Sequence, residues 1–278
     1  MKKILITLVL CAGASLCAAG WGRQGHSTVA YIAETHLTPR AKKQIAEYLH
    51  GNTLTSVASL NDAFKGVMKV DMGSEFLSGE PRINTLPHTF EADMNFEPNR
   101  KINDDGRYVK NCVWFIEQYA ASLKAGAREM DDSTRFARIA SIVHFVGDMH
   151  CPEHIRYHSA NPDEGDMTIG YYNVKFKGEE IRFHSLWDTE VIIANRPWGF
   201  TDLAYLIDTA SKKEIREITS GDVWDWARDS AECSYEVHSV KPGQKLGKYY
   251  IYEHQALVDS QLRKAGYRLA KILNDIFD

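Results

Sequence analysis

Two histidine–aspartate pairs, His144/Asp148 and His184/Asp188, each have their members four residues apart. On a helix that spacing puts both side chains on one face, about one turn apart. One such pair alone is commonly a surface ion pair. Here the first pair opens a dense histidine run, His144, His150, His154 and His158, that begins in H-F-V-G-D-M-H-C-P-E-H at 144–154. Histidine is only intermediate in its tendency to be buried, so core packing accounts poorly for the cluster. Imidazole and carboxylate together suit zinc, and a carboxylate can bridge two ions. The chain must therefore fold so that these segments share one metal-binding face.

Residues 1–20 are laid out as a secretory signal: Lys2 and Lys3, an apolar run from Ile4 to Leu10, then the small residues Ala18 and Gly20. The apolar run is short of the roughly 20 residues that span a bilayer, and Leu10 before Cys11 is too bulky for a lipoprotein site. Export to the periplasm or the medium is expected, with no membrane span in the processed chain. Cleavage after Gly20 would make Trp21 the new N-terminus, with a free amine able to bind metal. The precursor carries 33 basic and 37 acidic residues; without Lys2 and Lys3 the balance is 31 to 37, or −6. That is a poor footprint for duplex nucleic acid, although bound cations can attract phosphates locally. Cys112, Cys151 and Cys233 remain after the leader, an odd number that excludes a complete disulfide framework. At most one pair is expected, Cys112–Cys233, because Cys151 lies inside the histidine motif.

Apolar periodicity is mostly helical. It predicts helices over Gly25–Leu49, Tyr108–Ala125, Asp132–His150, Asp222–Val237 and Glu253–Phe277. The third has Asp132 or Ser133 as its cap and Phe136, Ile139, Val143 and Val146 as its core stripe. Residues 170–183 alternate around a Lys177-Gly178 turn like a short hairpin. Residues 67–106 are rich in Gly, Pro, Asn and Asp and read as an extended loop. A single all-α domain over 21–278 with a small β excursion is the expected architecture.

Five segments resemble one known family, the zinc-dependent, single-strand-specific nucleases of fungi and plants, also called bifunctional nucleases or 3′-nucleotidases. That family shares its fold with bacterial zinc phospholipase C. The segments are W-G-R-Q-G-H (21–26), S-V-A-S-L-N-D ending at Asp62, L-P-H-T-F around His88, the 144–154 run, and F-H-S-L-W-D (183–188). The resemblance runs from residue 21 to about 190. It implies three zinc ions. The first would be held by Asp62, His88, His144 and Asp148, and the second by His154, His184 and Asp188. The third would take the Trp21 amine and carbonyl, His26 and a bridging Asp148. His150 and His158 would take supporting or rim positions, and His36, His50, His238 and His254 are ordinary surface or core histidines.

The resemblance further implies hydrolysis of single-stranded DNA or RNA to 5′-nucleotides by a monomer. Asp62 would orient the attacking water. Lys65, three residues on, would neutralise the phosphate, although it reads equally well as a solvated helix lysine. Three departures fall on the substrate side. Cys151 and Glu153 stand where the family has Gln and Leu, a Gly-Gly-Asn segment is replaced by Gly165–Gly170, and Thr89 follows His88 in place of an aromatic. Base stacking would then fall to Phe90, Tyr157, Tyr171 or Tyr172, each of which also reads as a packing residue. Rival readings are a zinc phospholipase, a phosphomonoesterase acting on 3′-nucleotides, and a non-catalytic zinc-binding protein.

Overall fold

The periodicity from Gly25 to Leu49 is divided between two helices. In the computed structural model of the chain, which describes residues 21–66, 87–100, 111–158, 172–196 and 198–278 but not the side chains of 64–66, α1 spans Arg23–Thr35 and α2 spans Pro39–Tyr48. Pro39 has no N–H to continue a helical ladder, and it pushes the residue before it out of the α region. Thr38 accordingly takes extended backbone, and its hydroxyl accepts from the Ala41 amide at 3.1 Å.

The remaining helices are α3 (Leu54–Val57), α4 (Leu60–Gly66), α5 (Cys112–Gly126), α6 (Asp132–Met149), α7 (Phe183–Ser185), α8 (Val191–Ile193), α9 (Phe200–Ile207), α10 (Lys212–Ile218), α11 (Val223–Ser234) and α12 (Lys248–Phe277). Single 3₁₀ turns lie at Pro152–His154 and Tyr235–Ser239, and a π turn at Leu186–Glu190. Two predicted ends move for identifiable reasons. α6 is capped by Asp131, one residue before the expected position, because its carboxylate accepts from the Thr134 amide at 2.9 Å. α5 begins at Cys112 behind the cap Asn111, while residues 101–110 lie outside the described set.

The expected hairpin forms from β3 (Asn173–Phe176) and β4 (Glu179–Arg182), and β5 (Lys245–Leu246) joins β3 in parallel. The stretch expected as loop holds one strand, β1 (Phe90–Asp93), which pairs in parallel with β2 (Ile155–His158) in the register Phe90↔Ile155. That register matters to the site. His88 precedes β1 by two residues and His154 immediately precedes β2, so both arrive at the same end of the ribbon.

α6 runs through the middle of the molecule. Every residue from Ile139 to Met149 is buried, wider than the predicted stripe and characteristic of a helix enclosed on all sides. Around it pack α1, α5 and α12. α1 and α12 approach so closely that a Cβ added to Gly266 would lie 2.5 Å from Ile32 Cγ2. Each fully buried Ile, Leu or Phe in this core contributes about 1.5–3 kcal/mol relative to exposure. The expected Cys112–Cys233 pair does not form. Cys112 is enclosed at the start of α5, Cys233 is exposed on α11, and all three cysteines are free. Among the described residues no helix is long and apolar enough to cross a membrane. Residues 1–20, the expected leader, lie outside that set.

Candidate metal centre

The centre is assembled from the buried end of α6. His144 and Asp148 lie on it one turn apart, and both are fully buried. α1 brings His26 against α6, where its ring stacks on His144 with centroids 4.1 Å apart. The approach depends on Gly147, since a Cβ there would fall 2.6 Å from His26 Nδ1. The turn before α1 is just as close. Gly22 N donates to the Asp188 carbonyl at 2.5 Å, and a Cβ on Gly22 would meet that oxygen at 2.7 Å. Trp21 is buried beside it. α4 supplies Asp62, and the turn entering β1 supplies His88.

The four donors expected to share one ion converge. His88 Nδ1 lies 2.8 Å from Asp148 Oδ2, 3.0 Å from His144 Nε2 and 3.7 Å from Asp62 Oδ1. His144 Nε2 lies 3.1 Å from Asp148 Oδ2 and 3.6 Å from Asp62 Oδ1. A tetrahedral zinc with bonds of roughly 2.0–2.1 Å separates its ligand atoms by about 3.3–3.4 Å. The five distances bracket that value, so the donor set fits such an ion. Asp148 turns its other oxygen the opposite way, 3.4 Å from His26 Nε2 and 3.3 Å from His154 Nδ1. Oδ2 thus faces His88 and His144 while Oδ1 faces His26 and His154, a division between two sides that suits a bridging carboxylate. Nδ1 of buried His26 makes no hydrogen bond, an unmet polar atom that costs roughly 1–3 kcal/mol, and Nε2 meets only the Asp148 carboxylate at 3.4 Å.

Backbone carbonyls orient the rings. His144 Nδ1 donates to Ala58 O at 2.7 Å and His154 Nδ1 to His88 O at 2.7 Å, leaving Nε2 of each as the donor to a metal. Burial opposes charge on His144, but the Asp148 and Asp62 carboxylates outweigh it and raise its pKa to about 9. Burial would raise Asp148, yet His144, His154 and His88 hold it well below the usual carboxylate range. Burial and neighbouring His144 lower the pKa of His26. A cation bound at His144 would have to displace the proton that these carboxylates favour there.

The second group lies at the other side of Asp148. The His154 and His184 rings stack 5.0 Å apart at 10°, and His184 Nε2 is 3.4 Å from Asp188 Oδ2. His184 is on α7, but Asp188 falls on the π turn rather than on a continuing α-helix. Such wide turns recur at functional sites. The ligand atoms of Cys151, His154 and Asp188 all lie within 4.8 Å of one another, as do those of His26, Asp62 and His144. The cysteine was not among the expected ligands.

The substrate-side expectations fare less well. Phe90 and Tyr157 point inward from β1 and β2 and are fully buried, and the Tyr157 hydroxyl donates to Ala231 O at 2.7 Å. Neither offers a face to a base. Tyr172 is half-buried, stacked on Phe183, and donates to Val240 O at 2.7 Å. Tyr171 and the Lys65 side chain lie outside the described residues. His150 is enclosed rather than at a rim, accepting from Arg268 at 2.9 Å, whereas His158 stays partly exposed beside Glu91. A groove of about 460 Å³, lined among others by Arg23, Gln24, Ser27, Thr53, Ser56 and Phe200, was not anticipated. Ser27 follows the candidate ligand His26, and the sequence signal for the groove was Arg23 within W-G-R-Q-G-H.

The profile of a protein family described as S1/P1 Nuclease matches residues 21–278, extending the likeness past residue 190 to the end of the chain. Endonuclease 2 of Arabidopsis thaliana is 26% identical over 274 residues, 93% of this chain and 91% of its own. Nuclease P1 of Penicillium citrinum is 24% identical over 287 residues, 92% and 97% of the two chains. Nuclease S1 of Aspergillus oryzae is 25% identical over 287 residues, 92% and 91%.

Proposed function

The chain belongs to the S1/P1 nuclease family, a family of phosphodiester hydrolases, and from that membership we propose an exported, three-zinc enzyme that cleaves single-stranded DNA and RNA. Its products would be 5′-nucleotides, and it would also remove phosphate from 3′-nucleotides. The observation that carries the reading is the convergence of Asp62, His88, His144 and Asp148 at distances of 2.8–3.7 Å. The assignment is Asp62, His88, His144 and Asp148 for one ion, His154, His184 and Asp188 for a second, and Trp21, His26 and Asp148 for the third. Three dications against three carboxylates leave a local charge near about +3, which draws phosphate to an otherwise acidic chain.

Bound zinc supplies Lewis acidity and lowers the pKa of water toward about 7. The chain's own residues do the rest. Asp62, whose side chain retains 8% exposure while that of Asp148 has none, faces the approach and orients the attacking water. Lys65, one turn further along α4, neutralises the non-bridging phosphate oxygens. Asp148 holds His26, His88, His144 and His154 in a fixed array, so little reorganisation accompanies the reaction. Arg23 and the hydroxyls of Ser27, Thr53 and Ser56 suit a sugar–phosphate backbone, and Phe200 provides the apolar wall of the groove. All nine ligand residues come from one chain, which supports a monomer, and the layout of residues 1–20 supports export.

The test is nucleotide release from single-stranded DNA and RNA by Trp21-started protein, as prepared, after chelation and after zinc is restored. Release that disappears with the chelator and returns with zinc is expected. Failure of fully zinc-loaded protein to hydrolyse either polymer or a 3′-nucleotide would refute the reading and favour a binding role.

A further inference from the structure

Resting on the zinc reading above, we propose that Cys151 is itself a ligand, so that the His154/Asp188 site binds its ion through nitrogen, oxygen and sulfur. Cys151 is fully buried and unpaired with any other cysteine. Its sulfur lies within 4.8 Å of the donor atoms of both His154 and Asp188; a tetrahedral ion with bonds of roughly 2.0–2.3 Å holds such atoms about 3.6 Å apart, so the three donors need close by at most about 1.2 Å when it binds. The backbone holds it there. Cys151 N donates to the backbone carbonyl of Asp148 and His154 N donates to that of Cys151, each at 2.9 Å, so the backbone of the cysteine is fixed relative to those of Asp148 and His154. Pro152 opens the 3₁₀ turn that follows and fixes its exit. His154, His184 and Asp188 offer three donors, and the thiolate is a fourth that fills a tetrahedral set.

Coordination needs the thiolate, so the S–H bond is lost and one proton leaves to solvent for each ion bound there. A soft sulfur donor also favours zinc over the harder manganese or magnesium. This ion is then the one most slowly removed by chelators.

The test uses full-length processed protein loaded with cobalt, with metal per chain counted independently by mass spectrometry. Wild-type protein should show an intense near-ultraviolet thiolate-to-cobalt charge-transfer band, and zinc-loaded protein should show sulfur scattering near about 2.3 Å by X-ray absorption. Both signals should vanish in Cys151→Ser and Cys151→Gln, and the tightest ion should be stripped at least about tenfold faster. Counted metal with no sulfur signal, or a sulfur signal that survives either substitution, overturns the proposal and leaves the zinc reading standing. Protein that takes up no metal overturns both, and the metal count alone reports it.

Discussion

Replacing Gly147 by alanine should empty part of the centre while leaving the fold in place. The new Cβ would sit 2.6 Å from His26 Nδ1 and 2.9 Å from its Cε1, whereas ordinary contact begins at 3.4 Å. The imidazole must therefore retreat by about 0.8 Å. It cannot swing into water, because His26 is buried and stacked on His144. Metal–ligand distances tolerate only about 0.2 Å, so a displacement four times larger removes His26 as a donor. The stability effect is smaller, because two contributions oppose each other. Alanine inside α6 gains about 1 kcal/mol of helix propensity over glycine, and overpacking costs about 1–3 kcal/mol, for a net loss of about 0–2 kcal/mol. Metal content by mass spectrometry and the urea midpoint of chelator-treated protein would be measured together. One ion fewer per chain with a near-normal midpoint is expected. Full metal content with unchanged activity would refute the claim that the His26–Gly147 contact sets ligand position.

An N-terminal extension that survives on Trp21 turns its amine, with a pKa of roughly 7.7–8.0, into an amide that cannot bind metal. Tagged or unprocessed protein should carry one ion fewer than processed protein, and equal counts would exclude Trp21 as a ligand. Asp148→Asn removes the carboxylate that faces His26, His88, His144 and His154, and activity should fall by more than about 100-fold, read as kcat/KM on single-stranded substrate. Burial, aided by Arg268, lowers the pKa of His150 to about 3 from 6.5. The unfolded chain therefore binds the proton more readily, and stability should fall as the pH drops from about 6.5 toward about 3, by about 1.4 kcal/mol per unit. His150→Gln should be less stable at pH 7.5 but should lose less on acidification of the metal-free protein. Parallel losses would show that His150 does not carry this dependence.

Residues whose role depends on local spacing were legible in the sequence. His144 and Asp148 are one helical turn apart wherever the helix lies, and the hairpin announced itself through alternation and the Lys177-Gly178 turn. What depended on distant partners was not. β1 exists because residues 90–93 find residues 155–158, and that pairing turns Phe90 and Tyr157 inward and denies them to a base. His150 read as a supporting or a rim residue, and only Arg268, meeting it from α12, shows it enclosed. The helix break at Pro39 was written in the chain, but the continuous apolar period concealed it. Counting cysteines suggested a pair, yet Cys112 is buried, Cys233 is exposed and both are free. The Cys151 sulfur became a candidate ligand only when the π turn placed Asp188 within 4.8 Å of it.

The contact between α1 and α12 also sets an order of events. Synthesis delivers Trp21 and His26 before any other residue of the proposed centre, at and just before a helix whose inner face carries Val29, Ile32 and Ala33, all fully buried. Part of that face is covered by Gly266 and its neighbours on the final 30-residue helix. A growing chain would thus hold Trp21 and His26, the first two residues of the proposed centre, long before α12 is made to pack against their helix. On the proposed assignment, metal loading would follow closure of α12, and loss of its closing turns would disturb His26 some 240 residues away in sequence.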